Sequence, residues 1–305
     1  MSNQSPPASS SHEIFSNEIN LRQLELTITR KLDGLLHGEH RSPMHGPGIE
    51  LSEGRPYQPG DDARRIDWNL SARMNDVFVR ETVAERELET WLVIDASSSL
   101  DFGTAQREKR DLALIAAGAF GLLGARGGNR IGAFIFDGKD TAILPPRSGR
   151  KSVMQLLRRI ESHPRDVGEV GSLAEALQSV RITARRRGRI VVISDLIDQG
   201  PWPSALRGLA VRHDVVVAQI SDPRDWELPA TGLLTLVDPE TGRLLEVQSS
   251  DAKLRKRFEL AAGKRRAELD HNVRSSGARH LQLSTDRDWM PDLVHFVLSS
   301  RWVAS

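Results

Sequence analysis

Thr90-Trp-Leu-Val-Ile94 carries no charge, and Asp95-Ala-Ser-Ser-Ser99 follows it directly. A short continuous apolar run of this kind is a strand buried on both faces, as in a parallel sheet covered by helices. Moving outward, the same alternation recurs. An apolar helix is expected over about residues 105–124 and a strand over 131–136. A further strand, 141–144, follows the hairpin turn signal Asp137-Gly138. Residues 151–161 predict an amphipathic helix, with Val153, Leu156, Leu157 and Ile160 on one side. Then come a helix at 172–187, a strand at 190–193, a helix at 203–212 and a strand at 215–220. The stretch 233–247 breaks the pattern as a hairpin turning at residues 239–242. A charged helix over 251–275, a strand at 280–283 and a helix at 289–302 complete the chain. Strands alternating with helices imply βαβ units, a mostly parallel sheet and right-handed crossovers. The fold class is therefore α/β, a Rossmann-like, doubly wound sheet. Ligands of such sheets sit beyond the C-terminal strand ends.

The N-terminal part reads differently. Residues 1–17 are expected to be a disordered tail rich in Ser and Pro, not a signal peptide. Residues 18–88 form an N-terminal helix plus a small subdomain packed on the main domain. The helical spacing over residues 18–36 runs through Ile19, Leu21, Leu24, Leu26, Ile28, Leu32, Leu35 and Leu36. Residues 41–67, dense in Pro, Gly, Asp and Arg, read as loops with short strands. The main domain spans 89–305, with its inserted hairpin near 233–248.

Composition narrows the function classes. Charged residues make up 27% and apolar types 39%, with a net charge of +1. No global basic field argues for nucleic acid. The basic clusters 185–189 and 253–266 lie at a helix end and on a solvated helix face, without interleaved aromatics for base stacking. There is no cysteine, which excludes disulfides and thiolate chemistry. The longest apolar stretch, Leu112 to Ala125, is too short to span a bilayer. No membrane insertion and a cytoplasmic location are expected. His37, His40 and His45 match no helical metal spacing, and chance explains them. No Walker A loop, Gly-x-Ser-x-Gly elbow or His-Glu-x-x-His motif is present.

The chemistry concentrates after the first main strand. In an extended loop residues i, i+2 and i+4 share one side. Asp95, Ser97 and Ser99 then converge as one carboxylate and two hydroxyls. Such hard oxygens suit a divalent cation, Mg²⁺ first, with Mn²⁺ or Ca²⁺ as alternatives. Asp195, after another strand, is placed to accept hydrogen bonds from metal-bound water. The plain alternative for Asp-x-Ser-x-Ser is a turn and helix cap.

Asp95-x-Ser97-x-Ser99, with Ile193-Ser194-Asp195 at a strand end, resembles a von Willebrand factor A-type domain. The upstream run Arg55-Pro-Tyr-Gln-Pro-Gly-Asp-Asp-Ala-Arg-Arg-Ile-Asp-Trp-Asn69, with Ser71-Ala-Arg73 and Val79-Arg-Glu81, resembles the domain-of-unknown-function 58 family. That family is similar to von Willebrand A domains and commonly encoded beside MoxR-type AAA+ ATPases. The resemblance implies a metal-ion-dependent adhesion site. It also implies a Thr ligand from another loop, where this chain has Ser172, one residue short of the pattern and without a Gly-Gly-Thr. Ser172-x-x-Glu175 is also a capping box, so ligand and cap both stand. The dense charges between Arg55 and Asp67 read as a salt-bridge and turn network or as a docking element, with Tyr57 and Trp68 as packing anchors.

Three functions follow. The first is a non-enzymatic interaction module whose cation accepts an Asp or Glu from a protein partner. The resemblance implies that the partner is a MoxR-type AAA+ ATPase or its substrate, with an adaptor or co-chaperone role. The second is a metal-dependent hydrolase or phosphatase using Asp95 and Asp195, weakened by the lack of a general base or phosphate-clamping lysine beside Asp95. The third is a degenerate domain that binds no metal.

Overall fold

The computed structural model describes residues 21–22, 26–30, 54–74, 76–80, 88–105, 107–137, 139–164, 171–237 and 243–299. The chain divides into two compact units, Asp33–Glu87 and the remainder. The expected tail and the three histidines near residue 40 lie outside the described residues.

In the smaller unit, strand β1 (Gly54–Pro56) pairs antiparallel with β2 (Phe78–Arg80), and helix α1 (Trp68–Met74) lies between them in sequence. Its charges build turns. The Arg55 guanidinium grips Asp61 through two bonds of 2.6 and 2.7 Å. This pairing, helped by the Gln58 N–H, draws the Asp61 carboxyl down to about 2. Asp62 accepts from the Arg64 N–H, and Asp67 accepts from the N–H groups of Asn69 and Leu70 at the start of α1. Buried Asp67 takes the capping place. The next residue, Trp68, therefore opens the helix on its outer side and is 69% exposed. It is not the packing anchor expected from sequence.

The larger unit holds the sheet. Strands β3 (Glu89–Asp95), β4 (Arg130–Phe136), β5 (Thr141–Arg147), β6 (Arg189–Ser194), β7 (Asp214–Ser221) and β10 (Arg279–Ser284) lie in the order β10-β7-β6-β3-β4-β5. All neighbours are parallel except β5, which turns back on β4. Two prolines, Pro145 and Pro146, sit in β5, on the edge where a missing N–H costs nothing. β8 (Leu233–Val237) and β9 (Leu244–Gln248) form the separate hairpin.

Helices cover both faces. α2 (Lys109–Arg126) packs against the middle of the sheet, with α3 (Arg150–Glu161) and α7 (Trp289–Ser299) beside it. Phe120 of α2 meets Phe296 of α7 edge-on at 6.2 Å. On the other face α4 (Leu173–Thr183), α5 (Trp202–Ala210) and α6 (Ala252–Ser275) bury Leu177, Leu206 and Val273 with Trp91, Val93 and Val217. Helix α2 is buried almost all round, which explains its unbroken apolar sequence. It begins at Lys109 instead of near 105, because Glu108 and Asp111 close a capping box there. Helix α4 stops at Thr183, short of 187. Arg189 already belongs to β6, and a Cβ on Gly188 would lie 2.1 Å from the Glu89 carbonyl oxygen. Only glycine fits that close approach.

Close packing across β3 and β4 is specific. A Cβ at Gly132 would meet the Trp91 ring at 2.8 Å and the Leu144 carbonyl at 3.0 Å. Gly132→Ala is expected to lower stability by about 1–3 kcal/mol through overpacking. Urea denaturation reads this directly, and an unchanged midpoint would contradict the packing described.

Candidate functional site

The sheet's direction of growth reverses at β3. The chain runs outward from β3 to β4 and β5, then returns to place β6 on the other side of β3. The crevice at such a reversal is where ligands of doubly wound sheets bind. Register sets Ile94 beside Ile193, so Asp95 and Asp195 leave adjacent strands at the same end.

Asp95 is tightly held. Its Oδ1 accepts from the Ser97 N–H at 3.0 Å, and its Oδ2 accepts from the Ser194 hydroxyl at 2.7 Å. The Ser97 and Ser99 hydroxyls lie 3.0 Å apart. All three residues are buried. Arg110 fixes the loop's shape by pairing with Asp101 and donating to the Ala96 carbonyl at 3.2 Å. Burial pushes the Asp95 carboxyl from 3.8 up to about 6, and the charge of Asp195 adds to it; hydrogen bonds from Ser97 and Ser194 oppose but do not win.

The sequence reading missed Lys109. This first residue of α2 has 1% of its side chain exposed, and its ammonium lies 3.1 Å from both Asp195 Oδ2 and Asp225 Oδ1. Burial pulls its pKa down, but the two carboxylates outweigh burial and raise it. One signal was available: a lysine opening an apolar helix opposes the helix dipole, so it needs a compensating reason. The lysine lacking beside Asp95 in sequence thus arrives from α2. With both neighbours carboxylates, its ammonium is committed to them and is no open phosphate clamp.

Two further residues shape the rim. Asp222, fully buried, accepts from the N–H and hydroxyl of Thr104, the hydroxyl of Thr285 and the N–H of Arg224. These bonds outweigh its burial and hold its carboxyl low. They tie the loop after β3 to the ends of β7 and β10. Leu196, immediately after Asp195, has φ 59° and is buried. A left-handed leucine costs about 1–3 kcal/mol and persists only where its surroundings enforce it. Here Ser194 Oγ accepts the Leu196 N–H, and Asp195 Oδ1 accepts the Ile197 N–H.

Ser172 sits at the start of α4, accepting from the Glu175 N–H at 3.3 Å. Among the described residues no hydrogen bond joins it to Asp95, Ser97 or Ser99. The N–H of Leu173 goes to Asp198.

Could the loop hold a cation? An octahedral Mg²⁺ with bonds of 2.0–2.1 Å requires neighbouring ligand oxygens about 2.9 Å apart. The Ser97–Ser99 separation of 3.0 Å matches. That separation is also the length of the hydrogen bond the two hydroxyls make to each other, so the pair has the spacing of the group and is satisfied without it. Among the described residues no cluster of three or more His, Asp or Glu can hold a metal alone, so the hydroxyls would have to share the work.

The fold and rim define a doubly wound α/β domain with a carboxylate–hydroxyl loop at its switch point. Residues 53–268 match the family described as protein of unknown function DUF58, and the chain belongs to that family. An uncharacterized protein of Mycobacterium bovis is 49% identical over 282 residues, spanning 92% of this chain and 89% of its own. Among solved structures, the conserved hypothetical protein BatB from Bacteroides thetaiotaomicron superposes with a TM-score of 0.47 at 17% identity, covering 72% of this chain and 100% of that one. The SpRpn10 VWA domain does so at 0.37 and 12%, over 68% and 93%. Such distant likenesses concern the course of the chain alone; the fold class rests on the strand order above. Among the described residues no helix is long and apolar enough to cross a membrane.

Two stability effects follow. Asp95 binds its proton more tightly in the folded than in the unfolded chain. Its protonated form favours folding below the unfolded value of 3.8, and that contribution is lost as pH rises through about 6. The loss amounts to roughly 3 kcal/mol. In chelator, Asp95→Asn is expected to stabilise the fold by up to about 3 kcal/mol near pH 8 and to change nothing near pH 4. Denaturant titration at both pH values decides it; a destabilised variant near pH 8 would refute the assignment. Lys109→Met leaves the buried carboxylate of Asp195 and the half-buried one of Asp225 without their cation and should cost about 3–5 kcal/mol. A loss below about 1 kcal/mol would mean the pair is neutralised in another way.

Proposed function

We propose that the chain is a non-enzymatic protein-interaction module of von Willebrand factor A type, which captures a partner's Asp or Glu through a divalent cation. The observation carrying this reading is the Ser97–Ser99 hydroxyl pair 3.0 Å apart, beside the buried carboxylate of Asp95. Charge supports it. Asp95, Asp195 and Asp225 against one Lys109 leave an excess of two negative charges when all are ionised, and a single divalent ion restores balance. Hard oxygens of low count favour Mg²⁺, with Mn²⁺ or Ca²⁺ as alternatives.

Asp95, Ser97 and Ser99 would hold the ion, with Ser172 as a further hydroxyl and Asp195 receiving hydrogen bonds from its water. The cation would supply an electrophilic docking point for a carboxylate. The protein's own part is to keep Asp95 in place through Ser194 and the Ser97 N–H. The run Arg55–Asn69, through its resemblance, points to a MoxR-type AAA+ ATPase or its substrate as partner, with an adaptor or co-chaperone role.

Two measurements test this. Titration calorimetry with Mg²⁺ should give saturable binding that Asp95→Ala removes. A tagged chain should retain a purified MoxR-type ATPase in Mg²⁺ and lose it in EDTA or with Asp95→Ala, whose circular dichroism stays unchanged. Undiminished capture under either condition would overturn the cation-dependent reading.

A further inference from the structure

We infer that the cleft where β7 and β10 end is a second binding site, for an α-carboxylate flanked by an N–H donor. The cleft measures about 210 Å³, which is small for a drug-sized ligand and suits a single residue. It lies at the C-terminal end of two parallel strands, where sheets of this class receive ligands.

Its walls hold hydrogen-bonding groups that the protein leaves unused. Gln219 and Gln282 are register partners on β7 and β10 and so share a sheet face. Gln219 is only 3% exposed. Its side-chain amide lies 2.9 Å from His280 Nε2, and the opposite side of that ring meets Asp270 at 3.1 Å. Gln219 lines the cleft; with the His280 Nδ1–H given to Asp270, a neutral His280 takes the Gln219 amide N–H at Nε2, so this residue is a fixed wall. The side-chain amide of Gln282 has no hydrogen-bond partner among the described residues. Arg266, from α6, lies 5.8 Å over the Trp226 ring and pairs with no carboxylate among the described residues. Stacking on an indole fixes the plane of a guanidinium and leaves its edge N–H groups free to bind.

The Gln282 amide and the Arg266 guanidinium therefore line one cleft as donors beside an aromatic face. That set calls for an anionic acceptor on a partly apolar molecule. A dianion such as phosphate fits poorly, because Glu227 and Asp286 also line the cleft and Arg287 is already paired with Asp292 at 3.0 Å. The same two carboxylates suit an N–H donor next to the bound carboxylate. A free amino acid and a peptide C-terminus both offer that arrangement. The site needs no cation and stands apart from Asp95, Ser97 and Ser99.

The experiment is calorimetry on the full chain in EDTA with L-leucine, N-acetyl-L-leucine and L-leucinamide. At least one of the two carboxylates should bind saturably, and leucinamide should not bind. Tighter binding of L-leucine identifies a free amino acid as the natural class; tighter binding of the acetylated form identifies a chain end. The exposed substitution Arg266→Met and the half-buried Gln282→Glu should each weaken binding at least about tenfold, the loss of one charge-assisted hydrogen bond. Equal binding of leucinamide, no saturable heat from either carboxylate at millimolar concentration, or unaltered affinity of Arg266→Met would each overturn the inference. The chelator keeps this outcome separate from that of the cation-dependent docking.

Discussion

A lysine ammonium shut away from water needs carboxylates around it, and Lys109 draws two of them to one point. Asp195 comes from the end of β6 and Asp225 from the turn after β7, each 3.1 Å away. The lysine itself opens the helix that covers the centre of the sheet. One ion cluster thus joins a helix and two strand ends. Its desolvation is expensive, and the geometry repays it only while all three groups stay together. The rest of the rim is arranged around that requirement. Leu196 takes a left-handed conformation next to Asp195, and Asp222 bonds across to Thr104 and Thr285.

The same cluster determines what Asp95 can do. Lys109 is engaged by Asp195 and Asp225, so Asp95 has only hydroxyls and one N–H for company. Its raised pKa is the electrostatic mark of a buried carboxylate without a cation. Catalytic sites produce the same mark when two carboxylates share a crevice. Here the neighbouring lysine is saturated and the remaining groups are serine hydroxyls. That balance is what the proposed cation-holding role rests on.

The second cleft lies on the far side of the turn that carries Asp225. Asp225 Oδ1 faces Lys109, Asp225 Oδ2 accepts the Asp222 N–H, and Trp226 directly afterwards carries Arg266. A single short turn therefore separates the ion cluster from the cleft lined by Gln219, Gln282 and Arg266. The N-terminal unit is built on different physics. Among its described residues the charged side chains build turns, through the Arg55–Asp61 pair and the caps at Asp62 and Asp67.

What the sequence by itself determined was the order of elements and that Asp95 and Asp195 follow two of the strands. Continuous apolar runs such as Thr90–Ile94 and Ile190–Ile193 read as doubly covered strands because burial on both faces leaves no polar position. The extended alternation expected of Asp95-x-Ser-x-Ser is not what the chain does: Ser97 caps a 3-10 helix over Ser98–Leu100, and that turn sets the two hydroxyls 3.0 Å apart. Element ends were less legible. Helix α2 starts at a capping box inside a charged run, and α4 ends at Thr183, ahead of the close approach of Gly188 to Glu89, a contact between distant segments. Only the tertiary structure decided that Lys109 is buried, that Asp195 faces it, and that the amides of Gln219 and Gln282 share a cleft with Arg266. Those facts depend on strand order and register. Pairings across 86 residues, as between Lys109 and Asp195, leave no periodic trace in a single chain.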